Sequence, residues 1–327
     1  MVGGELELIR AVYVYDILVG GKKKACDGFL AKLNGKFPTN YLGDLRWYPG
    51  VAFGCNMDLG TLKISQTAFI DTHVKRFGIP TISDIPALTS IELGPTVGGE
   101  PSGDPLCRED IGCLRWLATM TRPDIANAVR AVARYSHNPS ERHWQAVLNI
   151  IVYLNGTREM GTCFVRGSGL DLSVYADADN ANKAMDRRSA SGVVVFLGET
   201  VVAARSRTQR CMTLSTGEAE YVAMGERAKL DFYIRAVLSF VQPLLSGTCL
   251  RLFEDNEGAK ALAENPLSSA RSKHIDVRMH FLRELVKSED LDICSISTDL
   301  QHADLLTKAL TAVAFKKHRQ VLLNLPV

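Results

Sequence analysis

Long apolar runs are absent from this 327-residue chain. None approaches the roughly eighteen residues that a membrane span needs, so no membrane partner is expected. Paired cysteines are absent too. The eight cysteines, at 26, 55, 107, 113, 163, 211, 249 and 294, form no Cys-x-x-Cys spacing, and no signal peptide is visible. They read as reduced, mostly buried thiols of an intracellular protein, cytoplasmic or nuclear. An excess of one sign of charge is lacking as well. Lys and Arg total 38 against 36 Asp and Glu, a net charge of +2. The field of the whole molecule is therefore weak, and any nucleic-acid contact must come from local basic patches. No internal repeat or low-complexity tract occurs, which excludes repeat architectures. What is present is an ordinary globular composition, 46% hydrophobic and 23% charged. That excludes wholesale disorder, and the length allows two cores.

Periodicity places the elements. The apolar run 11–19, ended by Gly20-Gly21, predicts one buried strand and a turn. Residues 22–37 have helical spacing, 45–65 hold two short strands around Asp58-Leu59-Gly60, and 66–77 form a helix closed by Gly78 and Pro80. Residues 80–105, rich in Pro, Gly, Ser and Thr, are a linker candidate. Residues 108–135 and 141–154 predict two amphipathic helices, the second capped by Ser140. Strands follow at 170–176, 192–204 (with a turn at Gly198) and 211–214, then a helix at 218–241. Strand 250–254 leads to helix 257–263; helix 274–287, strand 291–297 and helix 303–323 close the chain. This succession implies an α/β (α+β) fold with helices against one mixed sheet.

Four acidic residues sit in separate motifs: Asp177 in Tyr175-Ala176-Asp177-Ala178-Asp179, Glu220 in Ser215-Thr216-Gly217-Glu218-Ala219-Glu220-Tyr221, Asp255 in Glu254-Asp255-Asn256, and Asp304 in His302-Ala303-Asp304-Leu305-Leu306-Thr307-Lys308. Near a helix start, a carboxylate such as Glu220 or Asp304 gains about 0.3–1 kcal/mol from the helix dipole. That reading does not reach Asp177 or Asp255, which lie in or beside apolar strand runs where an unpaired carboxylate is costly. If the fold gathers the four, their repulsion calls for cations. All-oxygen ligands, with no His or Cys in the set, favour two Mg2+ or Mn2+ ions over zinc. Glu218 competes with Glu220 for the inward position, and Asp179 with Asp177, because residues two apart on a strand share a face. Asp177 and Glu220 are the preferred pair.

These motifs, together with Arg187-Arg188-Ser189-Ala190-Ser191-Gly192 and Lys273-His274-Ile275-Asp276-Val277-Arg278, resemble the RNase H domain of copia-type LTR retrotransposon Pol polyproteins over roughly residues 170–325. The resemblance implies an RNase H-like mixed sheet with flanking helices over 168–327 and endonucleolytic hydrolysis of the RNA strand of an RNA–DNA hybrid. Asp177, Glu220, Asp255 and Asp304 would then be the catalytic metal ligands, and Arg205, Arg207, Ser215, Asn256, Lys273 and Arg278 nucleic-acid contacts. The chain departs from the family at Asn180 and at Ala203-Ala204, where the family carries tryptophans. The alternative is a catalytically inactive nucleic-acid-binding remnant. His302 reads as a surface helix residue, and His274 as structural or substrate-facing.

The same family accounts for the first half. Tyr13-Val14-Tyr15-Asp16 resembles the Tyr-x-Asp-Asp turn of reverse transcriptases, with Tyr15 where the first aspartate belongs. A phenol, ordinarily titrating at about 10, does not replace a carboxylate on magnesium. The motifs Tyr41-Leu42-Gly43-Asp44, Lys75-Arg76-Phe77-Gly78 and Thr121-Arg122-Pro123-Asp124 resemble the palm end, thumb and connection. The implied division is a partial palm and thumb start over 1–80, a linker over 81–105 and a helical thumb or connection region over 106–160. DNA polymerase activity is expected to be absent. Other parts of a Pol polyprotein are implied partners. Lys22-Lys23-Lys24, the Arg205/Arg207/Arg210 set and Lys316-Lys317-His318-Arg319 are the local basic patches.

Overall fold

The apolar run near the N-terminus folds as a hairpin and not as one buried strand. In the computed structural model, β1 (Leu8–Tyr13) and β2 (Asp16–Gly21) pair antiparallel, with Tyr13 opposite Asp16. The structure describes residues 6–89, 93–180, 188–242, 249–264 and 276–325, of which 227–229, 231 and 276–280 are described by their backbone alone. Val14 turns the hairpin at a φ of 52°, a region unfavourable to a β-branched residue. Its neighbours Val12, Tyr13 and Tyr15 are exposed, Tyr15 at 96%. The following helix α1 (Lys23–Asn34) contains no buried residue. Apolar sequence here is therefore not core.

β3 (Trp47–Tyr48), β4 (Val51–Asn56) and β5 (Thr61–Ser65) form an antiparallel sheet, and α2 (Thr67–Arg76) follows. Residues 108–135 do not make one helix. They give α3 (Cys107–Met120), a 3-10 turn Pro123–Ile125 and α4 (Ala126–Ala133). Pro123 brings no N–H and keeps its predecessor out of the helical region; Arg122 sits at φ −130°, ψ 60°. Ser140 caps α5 (Glu141–Gly156) as expected, its N–H donating to His143 Nδ1 at 3.0 Å. The Pro- and Gly-rich stretch before α3 runs against α5. Gly94 O lies 2.9 Å from His143 Nε2, and Thr81 O accepts from Asn155 Nδ2 at 2.8 Å. A strand that periodicity does not reveal, β6 (Thr162–Val165), joins the edge of the first sheet beside β5.

The second sheet holds β7 (Leu172–Asp179), β8 (Ala190–Leu197), β9 (Thr200–Thr208), β10 (Leu250–Glu254) and β11 (Leu291–Ser295), in the order β11-β10-β7-β8-β9. β7, β8 and β9 are an antiparallel meander; β10 and β11 run parallel to β7. Gly198 turns the β8–β9 hairpin at a φ of 58°, where a Cβ would stand 2.2 Å from Ser168 O. β8 is buried on both faces, which explains its unbroken apolar run. Val193 and Val195 pack with α6 (Thr216–Val241), α7 (Glu257–Glu264) and α8 (Asp276–Lys287). Val194 and Phe196 face the other way, into a core with Leu114, Leu117, Ile150 and Ile151 of α3 and α5 and Phe315 of α9 (Ala312–Leu322). Each such buried side chain contributes about 1.5–3 kcal/mol. The mixed α/β architecture is thus as expected, with one face of its sheet covered by helices from the first half of the chain.

Two further expectations fail locally. Residues 211–214 are not a strand, and Met212 and Leu214 are 59% and 77% exposed. The chain there leaves the sheet to start α6, Leu214 N–H donating to Glu218 Oε2 at 2.7 Å. Residues 303–323 are not one helix either. A 3-10 turn His302–Leu306 is separated from α9, because Thr307 turns to donate its hydroxyl to Asp177 and Ser206 Oγ donates to Leu306 O. The cysteines are free, but only Cys107 is buried; Cys55 and Cys249 are exposed. Among the described residues, no helix is long and apolar enough to cross a membrane.

Candidate metal centre

Three elements deliver the carboxylates. Asp177 lies near the end of β7, opposite Gly192 of β8, and is 3% exposed. Asp255 follows the last residue of β10, which runs parallel to β7 and so ends on the same side. Glu220 comes from the start of α6. Ser215 Oγ accepts from Glu218 N, and the Glu218 carboxylate accepts from Leu214 N. Glu218 is thereby held at the helix start, and Glu220 carries its carboxylate inward. Asp177, Glu220 and Asp255 each bring an oxygen within 4.8 Å of the others. Among the described residues, no other group of three His, Cys, Asp or Glu side chains gathers this closely.

Asp304 lies beside Asp177 but outside that trio. Its Oδ1 is 2.9 Å from Lys308 Nζ. The 3-10 turn carrying it rests on Gly192, where a Cβ would meet Thr307 Cγ2 at 2.7 Å and Ala303 O at 2.8 Å. Glycine is required there by this close approach. Thr307 completes the link with its hydrogen bond to Asp177 Oδ2.

Electrostatics of the site follow from burial. Desolvation, then the charges of Asp177, Glu254 and Asp255, push Glu220 up to about 11. Burial, then Asp177, pushes Asp304 up to about 7 against the pull of Lys308. Burial also raises Asp177 and Asp179. Glu220 Oε2 is buried without a hydrogen-bond partner. An all-oxygen set with an orphaned interior oxygen and mutually repelling carboxylates fits a hard divalent cation. Asp177, Glu220 and Asp255 would hold it.

No family model matches this chain. Curated relatives do. The Pol polyprotein of the tobacco transposon TNT 1-94 (Nicotiana tabacum) is 33% identical over 322 residues, which is 94% of this chain and 24% of that polyprotein. The Pol polyprotein of transposon RE2 of Arabidopsis thaliana is 32% identical over 316 residues, 96% of this chain and 21% of that polyprotein. The chain belongs to the copia-type transposon Pol polyproteins. It spans about a quarter of the length of the relatives it matches. A solved foamy viral protease-reverse transcriptase in complex with RNA/DNA hybrid has a TM-score of 0.49 at 13% identity, covering 88% of this chain and 36% of that one. That likeness is remote.

The other predicted residues of this Pol relative are placed as follows. Arg205 and Arg207, on β9, line a shallow cleft with Ser191, Val193, Glu226 and Leu230. Ser215 and Asn256 both serve helix starts: Asn256 Oδ1 accepts from Ala259 N at 3.0 Å. Lys273, His274 and the side chain of Arg278 lie outside the described residues. Tyr13, Val14, Tyr15 and Asp16 form the tip of the exposed hairpin, and Asp16 belongs to no carboxylate trio among the described residues. His302 is not a surface helix residue. It is half-buried in the 3-10 turn, 5.0 Å from the Tyr175 ring, with Nδ1 3.1 Å from His318 Nδ1. Burial and then His318 pull it down to about 4.

Sequence reasoning missed four participants. Glu254 is 1% exposed and accepts from Asn256 N. The alternation Leu250, Leu252, Glu254 along β10 already put it on the inner face. Lys308 was legible as an i,i+4 partner of Asp304. Thr307 and Arg130 carried no such signal. Arg130 on α4 donates to Ser206 Oγ at 3.1 Å and Thr307 O at 3.4 Å, partners 76 and 177 residues away.

Proposed function

We infer that this Pol-related chain is a metal-dependent ribonuclease H that hydrolyses the RNA strand of RNA–DNA hybrids endonucleolytically, and that it lacks DNA polymerase activity. One observation carries the reading: two buried carboxylates, from β7 and the start of α6, and a half-buried one at the end of β10 meet within 4.8 Å, with Asp304 alongside. Such a cluster costs folding energy and gives no packing in return. A ligand that needs it supplies the reason for it. Bound Mg2+ or Mn2+, two ions in the full reading, supplies water activation and stabilisation of the departing 3′ oxygen.

The chain's own residues do the rest. Thr307 fixes Asp177, the Ser215 cap and Glu218 fix the start of α6 and with it Glu220, and Asn256 fixes the loop that carries Asp255. Asp255 is only half-buried, which leaves the trio open to a phosphodiester on that side. Arg205 and Arg207 are the described cations for hybrid phosphates, and a contact to the 2′-OH would distinguish RNA from DNA. Other parts of a Pol polyprotein are the proposed protein partners.

The test is cleavage of a hybrid labelled on its RNA strand, with Mg2+, with Mn2+ and with EDTA, for the wild type and Asp255→Asn. Cutting should require metal and fall by about 10³-fold or more in the variant. Metal-independent cutting, or cutting unaffected by the substitution, overturns the reading. The second reading, an inactive nucleic-acid-binding remnant, is favoured by the Lys308–Asp304 ion pair inside the site. Salt-dependent hybrid binding without metal-stimulated turnover would establish it.

A further inference from the structure

Among the described residues, Asp304 is the one of the four predicted carboxylates with an ion pair to a protein cation. Lys308 Nζ stands 2.9 Å from Asp304 Oδ1, with side chains 38% and 8% exposed respectively. The ammonium also acts on Asp177 and Asp179. This lysine is not a loosely tethered surface residue. Its N–H donates to Asp304 O at 3.1 Å, so the turn itself sets the lysine over the carboxylate. The turn is pinned by Ser206 Oγ to Leu306 O, by Arg130 to Thr307 O, by Thr307 Oγ1 to Asp177, and by its close approach to Gly192. Arg130, a second cation near the site, is held by Asn127, Ser206, Thr208 and Thr307 and is not free to take this place.

Among the described residues, Asp177, Glu220 and Asp255 therefore share one cluster with no cation paired to Glu220, while the Asp304 side already has its own counter-charge. We propose that Lys308 is a built-in counter-cation that makes the two metal positions unequal: one divalent ion binds readily at Asp177, Glu220 and Asp255, and an ion that uses Asp304 must first displace the Lys308 ammonium. This rests on the metal-dependent reading above and adds to it an order of occupancy. It also gives the protein a means of keeping the site half-loaded at limiting metal.

The experiment is titration of the full chain with Mn2+ at pH 8 by calorimetry, with bound ions counted by electron paramagnetic resonance. The wild type should bind one ion tightly and a second at least about tenfold more weakly, as expected for expelling a full charge from a partly buried site. Lys308→Met should tighten the weaker ion by about tenfold or more, and Lys308→Arg should not. Identical counts and affinities in wild type and Lys308→Met overturn the proposal. Should Lys308→Met lose its thermal transition, Lys308→Gln gives the same readout, since it keeps a polar side chain beside Asp304 without the charge. If Mn2+ binds neither wild type nor variant, or binds Asp255→Asn unchanged, the metal-dependent reading itself falls and this proposal with it. A second-ion affinity indifferent to Lys308 beside a first ion lost in Asp255→Asn overturns only the proposal.

Discussion

The tip of the N-terminal hairpin and the carboxylate centre both carry acidic motifs, and the fold treats them in opposite ways. At the hairpin, Asp16 faces Tyr13 across a two-stranded ribbon and Tyr15 is 96% exposed. At the centre, Asp177 is 3% and Glu220 4% exposed, and each is held by an element with its own cap, sheet partner or hydroxyl donor. A motif becomes a site only where several independently fixed elements converge on it. Two strands alone make a marginal unit, whereas β7 sits mid-sheet between β10 and β8 with helices on both faces.

The sharpest way to break this comparison is to remove one carboxylate from each place. Asp255→Asn should abolish hybrid cleavage as stated above, while Asp16→Asn should leave it unchanged; equal losses would show that the two regions act together. A smaller effect is expected from Gly192→Ala. The added Cβ would meet Thr307, Ala303 O and Leu306 within 3 Å, so stability should drop by about 1–3 kcal/mol, measured by denaturant unfolding. Cleavage should fall further than stability alone explains, because the turn bearing Asp304 and Thr307 must lift.

The pH dependence of the metal-free protein gives a subtler test. The folded-state pKa of Asp304 is raised to about 7 from an ordinary 3.8. Its contribution to stability is therefore present below the lower value and is lost as pH rises through the higher one. In EDTA, the melting temperature of Asp304→Asn relative to wild type should climb between pH 4 and 7, since Asn does not titrate. A flat difference would mean that Asp304 is not buried as described. The smallest effect belongs to the hairpin tip. Tyr15→Ser should change stability by less than about 0.5 kcal/mol, measured by the same unfolding curves.

How much of this was legible beforehand varied with range. The four carboxylates, the long helix α6 and the α/β succession follow from motifs and periodicity within tens of residues. Glu220 was preferred over Glu218 on the sequence; the capping geometry, in which Glu218 accepts from Leu214 N, supplies the physical reason for setting Glu218 aside. The alternation in β10 pointed to Glu254, but its significance appears only with Glu220 opposite it. The run at 11–19 misled because apolar content does not say whether anything lies across from it. Thr162–Val165 was missed because its partner, β5, lies about a hundred residues earlier in the chain. The break after Leu306 was likewise invisible: helical spacing continues, but contacts to Ser206 and Asp177 override it.

By itself the sequence determined which residue types are available and most of the local elements that carry them: an aspartate on a strand, a glutamate at a capped helix start, an aspartate after a strand, and an aspartate four residues before a lysine in a helical pattern. Those depend on side-chain chemistry and on spacings of two to four residues. Only the tertiary structure decided that three of these carboxylates share one cluster, that the turn bearing Asp304 and Lys308 lies against Asp177, and that the polymerase-like motif joins no carboxylate cluster among the described residues. Those outcomes depend on strand order, on a glycine that admits a turn, and on contacts between residues more than a hundred positions apart, where local sequence exerts no preference.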